Sequence, residues 1–77
     1  MIQVAIVEDD KEILKSLENL LNDDPGIIVT KTFYNAESFT AAFYDLNIDV
    51  VLMDIGLPGK SGIQAIAELK QKRPNIQ

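Results

Sequence analysis

Two groups of carboxylates stand where apolar runs stop. Val50-Val51-Leu52-Met53 ends on Asp54, and the loop Ile55-Gly56-Leu57-Pro58-Gly59-Lys60-Ser61-Gly62 follows at once. Near the N-terminus, Val4-Ala5-Ile6-Val7 runs straight into Glu8-Asp9-Asp10. Taken singly, Asp9-Asp10 ahead of a helix is an ordinary cap, and Asp54 ahead of Pro58-Gly59 is an ordinary turn start. Taken together, they put carboxylates at the C-terminal ends of two buried strands. Such a pocket suits a divalent cation held by oxygen ligands, beside which one carboxylate can act as a nucleophile.

The elements that would position these groups follow from periodicity. Ile2 to Val7 is apolar on both faces, as in a parallel sheet covered by helices on both sides. Asp9-Asp10-Lys11-Glu12 has the spacing of a capping box, with Asp9 as the cap and Glu12 reaching back. Ile13, Leu14, Leu17, Leu20 and Leu21 then recur on one helical face. Asn22-Asp23-Asp24-Pro25-Gly26 stops that helix. Ile27 to Phe33 reads as a second strand whose Thr30, Lys31 and Thr32 suit a sheet edge. Asn35 caps a helix carrying Ala36, Phe39 and Phe43 on one face. Asp49 to Asp54 forms a third strand. Ser61-Gly62 opens a third helix with Ile63, Ile66 and Leu69 inward. Lys70, Lys72 and Arg73 suit its C-terminal dipole, and Pro74 ends it. The order βαβαβα with right-handed crossovers predicts an α/β fold with a parallel sheet.

Composition narrows the chemistry. The 77 residues form one small domain or part of one, with a hydrophobic content of 47% that suffices for a core. Cysteine and histidine are both absent, which excludes disulfides, thiolate metal sites and His-dependent triads. A net charge of −5 without a basic cluster argues against nucleic-acid or anionic-membrane contact by this segment. No run approaches the roughly 18 apolar residues of a membrane span. Met1-Ile2-Gln3 lacks signal-peptide features, so the expected location is cytoplasmic.

Edge protection is inconsistent across this sheet. With the polar second strand at one edge the strand order is 2-1-3, which leaves the third strand as the other edge. Val50-Val51-Leu52-Met53 has none of the charge, proline or bulge signals that protect an edge. Asn75-Ile76-Gln77 resembles the start of a further strand. The expectation is therefore a truncated domain over residues 1–77, the front of a larger sheet, with possible partners including self-association through the exposed third strand.

Ala5-Ile6-Val7-Glu8-Asp9, Val51-Leu52-Met53-Asp54 and Leu57-Pro58-Gly59-Lys60-Ser61-Gly62 together resemble the receiver domain of two-component response regulators, over the whole chain. The resemblance implies a flavodoxin-like doubly wound sheet, here cut to (βα)3 with strands 4 and 5 and helices 4 and 5 absent. It implies that Asp54 is the phosphoacceptor. It further implies that Asp9 ligates Mg²⁺ directly, that Glu8 assists through a water, and that the backbone carbonyl of Gly56 and Asp54 itself complete the metal set. The implied donor is a sensor histidine kinase or a small acyl phosphate, and the implied output is transcriptional control through a further domain. The chain would not be an enzyme in its own right. A receiver also uses a Ser or Thr after strand four and a Lys after strand five, and no residue of this chain corresponds to either; Lys60 is no substitute. The segment alone is thus expected to be phosphorylation-incompetent or nearly so. Of the rival readings, a Mg²⁺-dependent phosphohydrolase wants a second Asp where Gly56 stands. An inert receiver remnant acting as an interaction module is the alternative.

Overall fold

The computed structural model describes residues 1–54 and 62–77, with the side chain of Tyr44 left aside. Strand β1 (Ile2–Val7) leads to helix α1 (Lys11–Asn22), β2 (Ile27–Phe33), α2 (Ala36–Ala42), a 3-10 turn (Phe43–Asp45), β3 (Val50–Met53) and α3 (Gly62–Lys72). The three strands form one parallel sheet in the order β2-β1-β3. As the Thr-rich pattern of Ile27 to Phe33 required, β2 lies at an edge. Val4, Ala5, Ile6 and Val7 of the central strand are all buried. The β1–β2 register shifts between Val4 and Ala5, where Val4 opposes Val29 and Ala5 opposes Lys31. This bulge accommodates one extra residue of the edge strand.

The pleat divides the core in two. Ala5 and Val7 face a larger cluster with Phe33, Ala36, Phe39, Phe43, Ala65 and Leu69. Val4 and Ile6 face α1 through Leu14, with Leu17 and Leu21 packed alongside. Phe39 is the hub of the larger cluster, edge-on to Phe33 at 5.5 Å and stacked on Phe43 at 6.2 Å. Asn35 caps α2 as expected, its carboxamide accepting from the Ser38 N–H at 2.7 Å.

Three local expectations are corrected. The cap of α1 is Asp10 rather than Asp9: the Asp10 Oδ1 accepts from the Glu12 and Ile13 amides at 2.9 and 3.1 Å. The helix begins one residue later than the capping-box reading implied, which releases Asp9 from cap duty. On α1, Leu14 is the buried residue, whereas Ile13 and Leu20 are exposed. On α3 the inward residues are Ala65 and Leu69, with Ile63 and Ile66 exposed. A helix lying on a sheet buries a narrow stripe. The small Ala65 lets α3 approach closely, and this sets the rotation that turns both isoleucines outward.

Two consequences can be measured by thermal or urea denaturation monitored by circular dichroism. Asp10→Ala removes both cap hydrogen bonds and should cost about 1 kcal/mol. Phe39→Ala should cost about 3–5 kcal/mol, enough to leave a domain this small largely unfolded at 25 °C.

Candidate functional site

Main-chain ladders carry the acidic residues to one rim. Both β1 and β3 are extended by one hydrogen bond past the last paired residue. The Glu8 N–H donates to the Phe33 carbonyl at 3.0 Å, and the Asp54 N–H donates to the Val7 carbonyl at 3.1 Å. Val7 lies opposite Met53 in the β1–β3 register, so the residues that follow each, Glu8 and Asp54, are neighbours. A clamp at the other end of the same pair secures this register. There the Gln3 N–H donates to Asp49 Oδ2 at 2.9 Å, and the Asp49 N–H donates to the Gln3 carbonyl at 2.7 Å. The sequence placed Asp49 at the start of the third strand without showing that its carboxylate would bond across to β1. The one available signal was an acid at the start of an apolar strand.

Glu8, Asp9 and Asp54 each present a carboxylate oxygen, and the three oxygens lie within 4.8 Å of one another. Glu8 and Asp54 are half-buried and Asp9 is exposed. Asp10 stands apart as the helix cap, and its N–H donates back to Glu8 Oε2 at 3.1 Å. Gly56 and Lys60 lie outside the described residues.

Electrostatics at this rim strain the anionic form of Glu8. The Asp10 amide pulls its pKa down, but partial loss of solvent and the Asp9 and Asp54 carboxylates together push it above its ordinary 4.5. Carboxylates this close are relieved by a shared proton or by a cation. The donor set is all oxygen, which suits Mg²⁺ rather than a softer metal. Oxygens sharing an octahedral Mg²⁺ at about 2.1 Å lie roughly 3–4 Å apart. The observed cluster needs only a small contraction, within reach of side-chain torsions, so these residues fit the ion.

The chain matches the response regulator receiver domain family over residues 4–77. It belongs to that family. Two relatives are protein-glutamate methylesterase/protein-glutamine glutaminases. One, from Rhodospirillum rubrum, is 35% identical over 95% of this chain and 19% of its own length. The other, from Natronomonas pharaonis, is 36% identical over 91% of this chain and 20% of its own length. The chain thus spans about a fifth of the curated relatives it matches. Among solved structures, the isolated receiver domain of RcsB from Salmonella enterica serovar Typhimurium, with the phosphomimetic BeF3⁻, superposes with a TM-score of 0.91. It is 22% identical, and the match covers 99% of this chain and 57% of that one. The complex of histidine kinase ThkA with response regulator TrrA gives a TM-score of 0.87 at 27% identity, over 100% of this chain and 65% of that one. The fold is the flavodoxin-like α/β fold of receiver domains, seen here as three parallel strands in the order 2-1-3.

The raised pKa of Glu8 has a stability consequence of definite sign. The folded chain holds the Glu8 proton more tightly than the unfolded chain does. Its contribution is therefore fully present below about pH 4.5 and is lost as pH rises through the higher folded value. Metal-free, the chain should lose stability upward from pH 4.5 over that window. Glu8→Gln should flatten this limb, as read from urea midpoints between about pH 4 and 7.

Proposed function

We propose that this chain is the front portion of a receiver domain whose Asp54 accepts a phosphoryl group from a sensor histidine kinase in a Mg²⁺-dependent transfer. The observation that carries this reading is the convergence of the Glu8, Asp9 and Asp54 carboxylates within 4.8 Å at the end of β1 and β3. Asp9 and Asp54 would hold the ion directly and Glu8 through a water, with the Gly56 carbonyl as a further ligand. The bound cation would supply neutralisation of charge on the phosphoryl oxygens.

Asp54 does the bond-making. A carboxylate oxygen attacks phosphorus in line, forming the acyl phosphate as the bond from phosphorus to the donor breaks. The main-chain bond from Asp54 to Val7 holds the nucleophile at the strand end, so attack needs no rearrangement of the sheet. Asp10 caps α1 and donates to Glu8, which keeps the acidic strand end from swinging into solvent. Histidine kinase ThkA in complex with TrrA, among the structural neighbours, supports a kinase as the donor. The RcsB neighbours are described as bound to promoters, in keeping with transcriptional output, whereas the curated relatives point to methylesterase output. Either output belongs to sequence beyond this segment, and the cytoplasm is its expected location. Among the described residues, no helix is long and apolar enough to cross a membrane.

Lacking the hydroxyl and lysine that receivers place after strands four and five, the 77-residue chain should bind Mg²⁺ yet accept phosphate poorly. At ten times its Kd, Mg²⁺ should stabilise the chain by about 1.4 kcal/mol, read as a rise in melting temperature. Asp9→Asn or Asp54→Asn should abolish that rise. Incubation with acetyl phosphate and Mg²⁺, followed by intact mass, should show little or no phosphoryl adduct; a stoichiometric adduct would refute the incompetence. Indifference of the melting temperature to Mg²⁺ would refute the metal site.

A further inference from the structure

Lysine is an unexpected residue at the first position of α1. The N-terminal end of a helix carries partial positive charge and favours acids, yet Lys11 stands there, directly after Glu8-Asp9-Asp10. Helical side chains lean toward the N-terminus, which here is the side of the acidic rim. Two residues of chain separate Lys11 from Asp9 and span at most about 7 Å, a gap the flexible lysine stem can close. The ammonium lies elsewhere. It sits over the ring of Tyr34, 5.7 Å from the centroid, which is within cation–π range.

Both partners of this contact are held by fixed backbone. Phe33 is buried in the larger core and its carbonyl accepts from the Glu8 N–H, while Asn35 caps α2. Tyr34, between them, stands beside Glu8 where the chain leaves β2, with 52% of its surface exposed. Asp10 fixes the start of α1 by capping it and by donating to Glu8 Oε2. Strands β2 and β3 flank β1 on opposite sides, so the ring keeps the ammonium on the side away from Asp54. Among the described residues, the groups acting on Glu8 are the Asp10 amide and the Asp9 and Asp54 carboxylates; Lys11 is not one of them.

The structure assigns Tyr34 as a positioning residue, whose ring holds the Lys11 ammonium on the β2 side of the rim and so keeps Glu8 and Asp9 open to Mg²⁺. The inference rests on the metal reading above and adds to it a residue outside the ligand set. With the ring gone, the Lys11 ammonium turns to the Asp9 and Glu8 carboxylates. A lysine paired there competes with a cation for the same oxygens. An exposed cation–π contact shifts a population about two- to fivefold, which sets the scale of the effect. The face of the ring does the holding, and the Tyr34 hydroxyl takes no part.

The test is Mg²⁺ titration of the intact chain by isothermal calorimetry, joined to nuclear magnetic resonance of the metal-free chain. Tyr34→Leu should weaken Mg²⁺ binding about two- to fivefold. Tyr34→Phe, which keeps the ring, should bind as the wild type does. Lys11→Gln alone should change affinity by less than about twofold, because a charge held off the rim is largely screened. Combined with Tyr34→Leu, the same substitution should restore wild-type affinity. Without metal, the nuclear Overhauser contact of the Lys11 ε-methylene with the Tyr34 ring should give way, in Tyr34→Leu, to one with the Asp9 β-protons. Unchanged binding by Tyr34→Leu, or a weakening that survives Lys11→Gln, would overturn the proposal and leave the metal reading standing. Absence of Mg²⁺ binding by the wild-type chain would overturn both.

Discussion

The parallel register of β1 against β3 is the constraint on which the rest of this molecule depends. Val7 opposite Met53 places Glu8 and Asp54 side by side, and the Asp54 N–H bond to the Val7 carbonyl carries that alignment one residue past the last paired position. A slip of one residue would turn Asp54 toward the opposite face and leave the acids unable to share an ion. The reciprocal bonds between Gln3 and Asp49 guard against such a slip at the other end of the pair. Carboxylates that repel one another are thus held together by main-chain geometry rather than by any attraction of their own.

That arrangement sets stability against function. The sheet is three strands wide, and its central strand supplies most of the fully buried aliphatic surface. On one side α1 contributes a single buried leucine, and on the other an aromatic trio with Ala65 and Leu69 forms the denser core. A small core of this kind tolerates little electrostatic strain, yet the rim concentrates negative charge where Glu8 resists ionisation. A divalent cation shared by these oxygens would relieve that tension.

The acidic rim was legible because its signals are local. An apolar run ending on Asp54 and another ending on Glu8-Asp9 are visible without coordinates, as is the Pro/Gly loop after Asp54. The strand order was legible too, since Thr30, Lys31 and Thr32 mark β2 as an edge. The identity of the α1 cap was not, because Asp9 and Asp10 are the same residue type one position apart. Which of them caps depends on where β1 lets go of the sheet. Helix rotation was equally hidden. Ile63 and Ile66 fit an inward stripe as well as Ala65 and Leu69 do, and a hydrophobicity pattern does not say how closely a helix can approach.

Residue types and spacing alone therefore determined the class of fold, the succession of its elements, and which carboxylates end β1 and β3. Periodicity and capping chemistry act over a few residues, and those distances are written into the chain. Tertiary structure alone decided that the oxygens of Glu8, Asp9 and Asp54 meet, that Asp10 is spared for α1, and that the Gln77 main chain bonds to Asp49 and Val51. Each of these depends on hydrogen bonds between residues far apart in the chain, and only packing of the whole sheet selects among the registers those residues could adopt.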